Sequence, residues 1–307
     1  MLVKSEFDIQ FHLSAPTPMV AMLHLHPTLE PRVRTRNELK VEHIDRDTTT
    51  DVSSWEYQDV FGNRCTRFTS PAGAIRLSAT NVVEMEAMAD PINAYAQQAP
   101  VEELPSEVLQ FLLPSRYCEV DQFGPIAQDL FGWMTPGWTR AAAIRDWVHE
   151  KVAFNYKTAR PTKTAMDVFM ERIGVCRDYQ HLAITLSRCQ NIPARYVTGY
   201  LGDIRAPYSG PGDFSAWYEV FLDGRWMAMD ARHNEPRLGR VLMATGRDAA
   251  DVAITTSFGS AILTNFFVDS NEVLEDGTTV PSLPGAAVQE AVVTSNRGSA
   301  GAIQGFA

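Results

Sequence analysis

The stretch Gly174-Val-Cys-Arg-Asp-Tyr-Gln-His-Leu-Ala-Ile-Thr-Leu-Ser-Arg-Cys189 decides the fold, because it predicts a helix that begins at a cysteine. Gly174 interrupts the segment before it, and Leu182 and Leu186 recur at the spacing of a buried helical face. The pattern ends at Asn191-Ile-Pro193, since proline cannot continue a helix. Cys176 is therefore expected at or near a helix N-terminus.

Two further helices are predicted just before this stretch. Thr164-Ala-Met-Asp167 has the form of a capping box, in which a Thr side chain and an acidic residue three positions later bind the first free amides of a helix. That helix is expected to run to about Ile173. Apolar residues recur at helical spacing between Thr139 and Val152, so a helix buried along one side is expected there as well.

After the cysteine-bearing helix the pattern changes to strands. Three runs suit an antiparallel sheet, namely Ala194–Leu201, Ala216–Leu222 and Arg225–Ala231. Asp223-Gly224 joins the last two and is a strong signal for a two-residue hairpin turn. Counted outward from that turn, Trp217 pairs with Asp230, and Ser215 is a diagonal neighbour of Asp230 at roughly 7–8 Å.

The chain is long enough for two packed cores, and the first 84 residues are expected to form a separate β-rich domain. Apolar or β-branched runs alternate there with Pro, Gly, Asn and Asp, as in Phe7–Leu13, Val20–Leu25, Glu38–Ile44 and Gly73–Val83. Residues 85–135 are rich in proline and are interpreted as a connector. Residues 136–270 form the second domain, and residues 271–307 are expected to be a weakly ordered tail with few large apolar side chains. The predicted fold class is α+β.

Composition excludes several classes of function. A net charge of -10 argues against nucleic acid as a partner, since binding it needs clustered Lys and Arg. No run reaches the ~20 apolar residues of a membrane helix, and Lys4, Glu6 and Asp8 interrupt the start where an export signal would need an apolar core. We therefore expect a soluble, cytoplasmic protein without a membrane or nucleic acid partner, whose oligomeric state is left open.

The cysteines and two histidines bear on metal binding. The four cysteines are Cys65, Cys118, Cys176 and Cys189. They lack CxxC spacing, so neither a disulfide nor a zinc–thiolate cluster is expected. His24 and His26 lie two apart on a predicted strand, a spacing that could hold a metal, although an ordinary sheet face explains it more simply. No cofactor and no obligatory metal are predicted.

The motifs around the predicted helix and hairpin resemble those of bacterial transglutaminase-like proteins. They are Gly174-Val-Cys176-Arg-Asp178-Tyr, Pro193-Ala-Arg195-Tyr-Val-Thr-Gly199-Tyr200, Ser215-Ala-Trp217-Tyr-Glu219-Val and Trp226–Asp230, and their order and spacing match the family. The resemblance covers roughly Trp138 to Phe267. It implies a papain-like, transglutaminase-like core, in which a cysteine-bearing helix packs on an antiparallel sheet and a Cys-His-Asp triad acts on amide bonds.

The resemblance places Cys176 at the nucleophile, position 215 at the histidine and Asp230 at the acid of the triad. Ser215 occupies the histidine position here, and serine has no group that titrates near neutral pH. Other histidines do not obviously replace it: His233 would face the opposite side if the strand continued, and His181 lies about 140° around the helix from Cys176.

The expected chemistry depends on how far a thiol can act without histidine. A thiol at a helix N-terminus is expected to have a lowered pKa, so slow catalysis is feasible. The oxyanion would be held by the backbone amide of Cys176 and by Asn155 or Tyr156. General acid–base assistance is worth roughly 10²–10⁴-fold, and amide cleavage must protonate its leaving amine, so esters and thioesters would suffer less from the loss of histidine.

Two functions from different classes remain. The first is a thiol-dependent amide or ester hydrolase, or an acyl transferase, that forms an acyl-Cys176 intermediate on peptide or protein substrates. The second is a degenerate, non-catalytic member of the family that binds a peptide or protein partner in the same cleft. A third hypothesis, metal-dependent hydrolysis at His24 and His26, lacks an identified third ligand. Position 215 separates the first two.

Overall fold

The computed structural model describes residues 1–46, 48–210 and 212–284, and it combines helices with antiparallel sheets. The helices are α1 (Ser106–Leu109), α2 (Val120–Phe131), α3 (Trp138–Lys151), α4 (Ala165–Glu171) and α5 (Cys176–Cys189). The strands are β1 (Leu2–Leu13), β2 (Thr17–Ala21), β3 (Lys40–Asp45), β4 (Thr48–Asp51), β5 (Ser54–Gln58), β6 (Arg64–Ser70), β7 (Gly73–Glu84), β8 (Ala153–Phe154), β9 (Ile173–Gly174), β10 (Ala194–Tyr200), β11 (Phe214–Leu222), β12 (Arg225–Met229), β13 (Val241–Gly246), β14 (Thr255–Ser257) and β15 (Ala261–Val273). The predicted α+β class is confirmed. Within the described ranges, no helix has the length and apolar character needed to cross a bilayer.

The helices near the cysteine-bearing stretch follow their sequence signals. At the start of α4 the Thr164 hydroxyl accepts a hydrogen bond from the Asp167 amide, and the Asp167 carboxylate accepts one from the Thr164 amide. α5 covers the predicted residues, and Leu182, Ala183 and Leu186 are fully buried. These predictions are confirmed, because each rested on contacts between residues close in sequence.

A four-stranded antiparallel sheet supports α5, in the order β12-β11-β10-β13. α5 packs on β10 and β11. The hairpin between β11 and β12 turns at Asp223 and Gly224, whose φ angles of 49° and 71° are the positive values that a tight two-residue turn needs. The predicted register is confirmed from Leu222 opposite Arg225 to Tyr218 opposite Met229, where β12 ends.

One buried arginine ties the last turn of α5 to three other segments. Arg188 donates hydrogen bonds to the carbonyl oxygen of Ala194 at the start of β10, of Leu113 after α1 and of Arg247 after β13. Its side chain is almost inaccessible to solvent. A buried guanidinium is tolerated only when its donors are satisfied, so these bonds hold the helix and its surroundings in one arrangement.

Residues 85–135 form more than a connector. α2 contains 12 residues even though Pro125 lies inside it, and it packs against α5. Earlier in the segment, the Asp90 carboxylate accepts hydrogen bonds from the Arg237 amide and from the Arg240 side chain. The segment therefore contributes both a helix and polar contacts to the second domain.

The β-rich domain contains two sheets, with the strand orders β15-β1-β7-β3-β4 and β14-β2-β6-β5. β14 pairs with β2, and β15 pairs with β1 along its whole length, where the hydroxyls of Ser5 and Ser270 lie 3.1 Å apart. The sequence-based division had assigned residues up to 270 to the second domain and had begun the tail at 271. Residues 271–273 instead complete β15, while residues 285–307 of the predicted tail lie outside the described residues.

Replacing Arg188 by methionine is expected to lower the free energy of unfolding by about 3 kcal/mol, because several buried carbonyl oxygens lose their donors. Urea unfolding followed by circular dichroism measures this loss. Arg225→Met changes an exposed arginine at the start of β12 and is the matched control, with an expected change below about 0.5 kcal/mol. Equal losses in the two variants would contradict the assignment.

Candidate thiol site

Cys176 is the first residue of α5, and a close approach shapes the chain before it. The Asp178 carboxylate accepts a hydrogen bond from the Val175 amide at 3.0 Å. A Cβ atom on Gly174 would lie 2.7 Å from the Cβ atom of Asp178, so a side chain does not fit there. Cys176 itself is only 4% exposed, which means that its thiol is largely withdrawn from water.

A short parallel pairing brings Asn155 and Tyr156 to this end of α5. β8 pairs with β9, and the Asn155 amide donates to the Gly174 carbonyl oxygen at 2.9 Å. Tyr156 lies close enough to Cys176 for their charges to interact; burial, and then the thiol and Asp213, raise the pKa of Tyr156 to about 12. The Tyr156 hydroxyl therefore stays protonated and can donate to an oxyanion, whereas the backbone amide of Asn155 is already engaged with Gly174.

The acidity of the thiol differs from the sequence-based expectation. Burial raises the pKa of Cys176 to about 11, although the positive charge of Arg232 and the backbone amide of Arg177 act to lower it. The negative charge of Asp213 acts in the same direction as burial. The expected lowering at a helix N-terminus is therefore wrong for this structure, because withdrawing a thiolate from water outweighs the helix terminus.

The other cysteines show that acidity does not single out Cys176. All four cysteines lie within the described residues, and none forms a disulfide. Burial raises the pKa of Cys65 and Cys189 to about 11 and that of Cys118 to about 12. What distinguishes Cys176 is its place at the first residue of α5.

Asp230 lies one residue beyond β12 and is almost fully buried. Its carboxylate accepts hydrogen bonds from the His233 ring at 2.9 Å, from Arg240 at 3.1 Å and from Gln180 at 3.3 Å. Burial alone would raise the pKa of Asp230, but the hydrogen bond from His233 and the positive charge of Arg240 lower it overall. Asp230 is therefore ionised at neutral pH.

Gln180 connects the cysteine-bearing helix to Asp230. It lies one helical turn after Cys176, and its side-chain amide donates to the Ala216 carbonyl oxygen at 3.2 Å as well as to Asp230. Its Oε1 atom accepts a hydrogen bond from the Ala231 amide at 3.2 Å. One side chain thus fixes α5, β11 and the end of β12 relative to one another.

Ser215 lies on β11 opposite Gly199 of β10. The Trp217 ring occupies the space beside this glycine, 2.6 Å from where a Cβ atom would be. The observed hairpin pairs stop at Tyr218 with Met229, one step before the predicted pair of Trp217 with Asp230. The predicted register therefore holds to the end of β12, but Asp230 lies beyond the ladder, and its diagonal placement relative to Ser215 is not part of the observed pairing.

His233 does not face the opposite side from Asp230, as the sequence had suggested. β12 ends at Met229 and the chain turns, so the Nδ1 atom of His233 donates to the Asp230 carboxylate. The ring of His149 donates to the Arg232 carbonyl oxygen at 2.9 Å, within the same turn. Both histidines therefore fix the turn that follows Asp230.

His181 belongs to the core. Its Nε2 atom accepts a hydrogen bond from the Ala249 amide at 3.1 Å, and its ring stacks on Tyr117 with centroids 4.9 Å apart. Burial, and then the positive charges of Arg177 and Arg188, hold the pKa of His181 well below its ordinary value. This imidazole is neutral and its Nε2 atom is already used.

His24 and His26 follow the end of β2 rather than lying on a strand, which corrects the sequence-based placement. The Nε2 atom of His24 lies 2.7 Å from the Thr66 hydroxyl, and the Nδ1 atom of His26 lies 2.8 Å from the Thr28 hydroxyl. Across residues 1–46, 48–210 and 212–284, no group of three or more His, Cys, Asp or Glu side chains is arranged to hold a metal ion. Both histidines have structural partners of their own.

Two charged residues at the site were not singled out from the sequence. Asp213 precedes β11, and Arg232 lies in the turn after Asp230; both are close enough to Cys176 for their charges to affect its pKa. The Arg232 guanidinium also lies over the Phe154 ring, 4.1 Å from its centroid. The alternation of a strand could have identified Asp213, which is two positions before Ser215, and the hairpin register counted outward, which pairs Ser215 with Arg232, could have identified Arg232.

The chain is similar to known proteins, both over the site and over most of its length. A family model described as the transglutaminase-like superfamily matches residues 125–231, a range that contains Cys176, Ser215 and Asp230. The crystal structure of a "Putative Cysteine Protease" from Cytophaga hutchinsonii is 30% identical in sequence. The match covers 91% of this chain and 93% of that chain, with a TM-score of 0.76.

Curated relatives occur among mycobacterial proteins. An uncharacterized protein of Mycobacterium leprae is 27% identical over 235 residues, covering 73% of this chain and 82% of the relative. An uncharacterized protein of Mycobacterium bovis is 32% identical over 111 residues, covering 32% of this chain and 35% of the relative. The similarity to the first of these thus extends well beyond the residues matched by the family model.

Alkylation of Cys176 by iodoacetamide is expected to be slow at about pH 6 and to accelerate steeply above about pH 9, because burial keeps the thiol protonated. Mass spectrometric mapping of labelled peptides across this pH range measures it, with Cys189 as the internal comparison and Cys176→Ala to assign the peptide. Preferential labelling of Cys176 at about pH 6 would show that its thiolate is already formed.

Replacing Asp230 by alanine is expected to lower the free energy of unfolding by about 3 kcal/mol, because Arg240 and Gln180 lose a buried partner. Chemical denaturation at neutral pH measures this change. Glu235→Gln, at an exposed carboxylate five residues later, is the matched control and should change the stability by less than about 0.5 kcal/mol. An Asp230→Ala variant as stable as wild type would show that these contacts of Asp230 do not stabilise the fold.

Proposed function

The chain belongs to the transglutaminase-like superfamily, and on this premise we propose that it is a thiol-dependent hydrolase or acyl transferase acting through an acyl-Cys176 intermediate. Peptides or proteins are the proposed substrates. One observation carries the proposal: Gln180 links the helix that begins at Cys176 to the ionised carboxylate of Asp230. This connection suits a nucleophile that must be held in a fixed position relative to charged groups.

The proposed reaction has two steps. In the first, the Cys176 sulfur bonds to the substrate carbonyl carbon, the bond from that carbon to the leaving nitrogen or oxygen breaks, and the thiol proton ends on the leaving group. In the second, water or an amine attacks the thioester carbon, the bond from that carbon to sulfur breaks, and the proton lost by the attacking group returns to the sulfur of Cys176. The Cys176 amide and the Tyr156 hydroxyl are the proposed donors to the oxyanion in both steps.

The expected reaction rates of the proposed substrates depend on how much each leaving group needs a proton donor. Ser215 supplies no titratable group, and the thiol is protonated at neutral pH. Leaving groups whose bond breaks before they receive a proton are therefore favoured, so thioesters and activated esters should react faster than amides.

A second candidate function is peptide binding without catalysis. The observation that favours it is the combination of a withdrawn thiol, whose pKa burial raises to about 11, with exposed aromatic side chains beside it. Phe154 and Tyr156 are more than one third exposed, and their rings meet edge to face with centroids 4.8 Å apart. Such rings can pack against an extended peptide.

Acylation by p-nitrophenyl acetate distinguishes the two functions. A catalytic thiol should add one acetyl group at Cys176, detected by intact-protein mass spectrometry and peptide mapping, and Cys176→Ala should abolish it. Labelling of several cysteines at rates that follow their exposure, without turnover, would support the binding function instead.

Replacing Ser215 by histidine is expected to raise the rate of ester turnover by roughly 10²–10⁴-fold, because an imidazole would be added at the position that the family motif assigns to histidine. The opposite residue, Gly199, contributes no side chain at that position of β10. Ester hydrolysis measured at neutral pH gives the rate. Ser215→Asn is the control of similar polarity without a titratable ring, and an equal increase in that variant would contradict the explanation.

A further inference from the structure

We propose that Asp213 is the proton-transfer group of the thiol site and performs part of the role that the family motif assigns to histidine at position 215. This inference rests on the proposed acyl transfer at Cys176. It is carried by the placement of Asp213, by an unpartnered atom of its carboxylate and by the groups that surround it.

The placement of Asp213 follows from the strand. It immediately precedes β11, two positions before Ser215, and side chains two apart in an extended chain point to the same side. Phe214, between them, is buried in the core on the other side. Asp213 is therefore on the same side of the chain as the position where the family motif has an imidazole.

The carboxylate of Asp213 is incompletely satisfied. Its Oδ1 atom is buried and has no hydrogen-bond partner among the described residues. Most buried carboxylate oxygens in folded proteins accept hydrogen bonds, because leaving one unpaired costs free energy. An unpaired oxygen beside a nucleophile suits a group that must accept and release a proton.

Three titratable or charged groups, each from a different part of the fold, lie close enough to Asp213 for their charges to interact with it. Cys176 is at the start of α5, Tyr156 follows β8, and Arg232 lies in the turn after β12. Burial raises the pKa of Asp213 to about 7, while the Phe214 amide and the positive charge of Arg232 act to lower it. A carboxyl group with this pKa is present in both protonation states near neutral pH, as a proton-transfer group requires.

The proton balance of the acylation step is simple. The Asp213 carboxylate takes the Cys176 proton while the sulfur–carbon bond forms, and the resulting carboxylic acid gives that proton to the leaving group as its bond to carbon breaks. The thiol holds its proton much more tightly than Asp213 does, so transfer accompanies bond formation instead of preceding it. No oxidant, reductant or metal is needed.

The test compares acetylation with alkylation in wild type, Asp213→Asn and the control Glu235→Gln. With p-nitrophenyl acetate, acetylation of wild-type Cys176 should rise through about pH 7, and Asp213→Asn should lose this rise and react at least about 10²-fold more slowly at pH 8. Alkylation by iodoacetamide reports only the thiolate. It should be as fast or faster in Asp213→Asn, because a negative charge beside the thiol is removed.

The outcomes separate this inference from the proposed function. If wild type is acetylated at Cys176 and Asp213→Asn keeps the same rate and pH dependence, only the role of Asp213 is overturned. If wild type is not acetylated at all, both are overturned. A parallel loss of acetylation and alkylation would show a structural effect and overturn the proton-transfer role.

The double variant Asp213→Asn with Ser215→His guards against misfolding as an explanation. An imidazole should restore acetylation to at least the wild-type rate, and failure of a folded double variant to recover would count against proton transfer.

The pH dependence of stability tests the pKa of Asp213 without relying on activity. Because burial raises the pKa of Asp213 from 3.8 to about 7, wild type should lose stability relative to Asp213→Asn as the pH rises through this interval.

Discussion

Burial of α5 on nearly every side is the constraint on which the rest of the structure depends. From Cys176 to Arg188 all of its residues are buried, so its polar side chains must find partners within the helix or in other segments. Gln180 reaches the end of β12, His181 accepts from the loop after β13, and Arg188 binds carbonyl oxygens in three segments. The hydrogen bonds made by the buried polar side chains of α5 therefore fix the positions of the elements around it.

The same burial decides the acidity of the nucleophile. A helix N-terminus stabilises a negative charge by about 0.3–1 kcal/mol, whereas a change of one in pKa corresponds to about 1.4 kcal/mol. A terminus therefore cannot offset a rise in the pKa of Cys176 from 9.0 to about 11. A buried thiol with a raised pKa reacts only if a neighbouring group can receive its proton. The reactivity of Cys176 therefore depends more on the surrounding side chains than on the helix N-terminus.

The sequence predicts those parts of the fold and site that depend on neighbours in the chain. The capping box of α4, the extent of α5 and the hairpin register are of this kind, and they place Cys176 and Asp230. The turn that brings His233 back to Asp230 could not be predicted. β12 ends just before Asp230, whose contacts with Gln180 and Arg240 come from residues distant in sequence. The high thiol pKa likewise depends on tertiary packing, which no local pattern records.

The pairing of β15 with β1 affects how the protein can be made. β1 lies between β7 and β15, and the contact of Ser5 with Ser270 joins residues 265 positions apart. On the ribosome, β1 and β7 can meet early, but one edge of β1 keeps its backbone groups unpaired until β15 emerges. The strands of the sheet that supports α5 lie between β1 and β15 in sequence, so all four are synthesised before β15. While β15 is being synthesised, the strands of the sheet that supports α5 are therefore complete, whereas one edge of β1 is still unpaired.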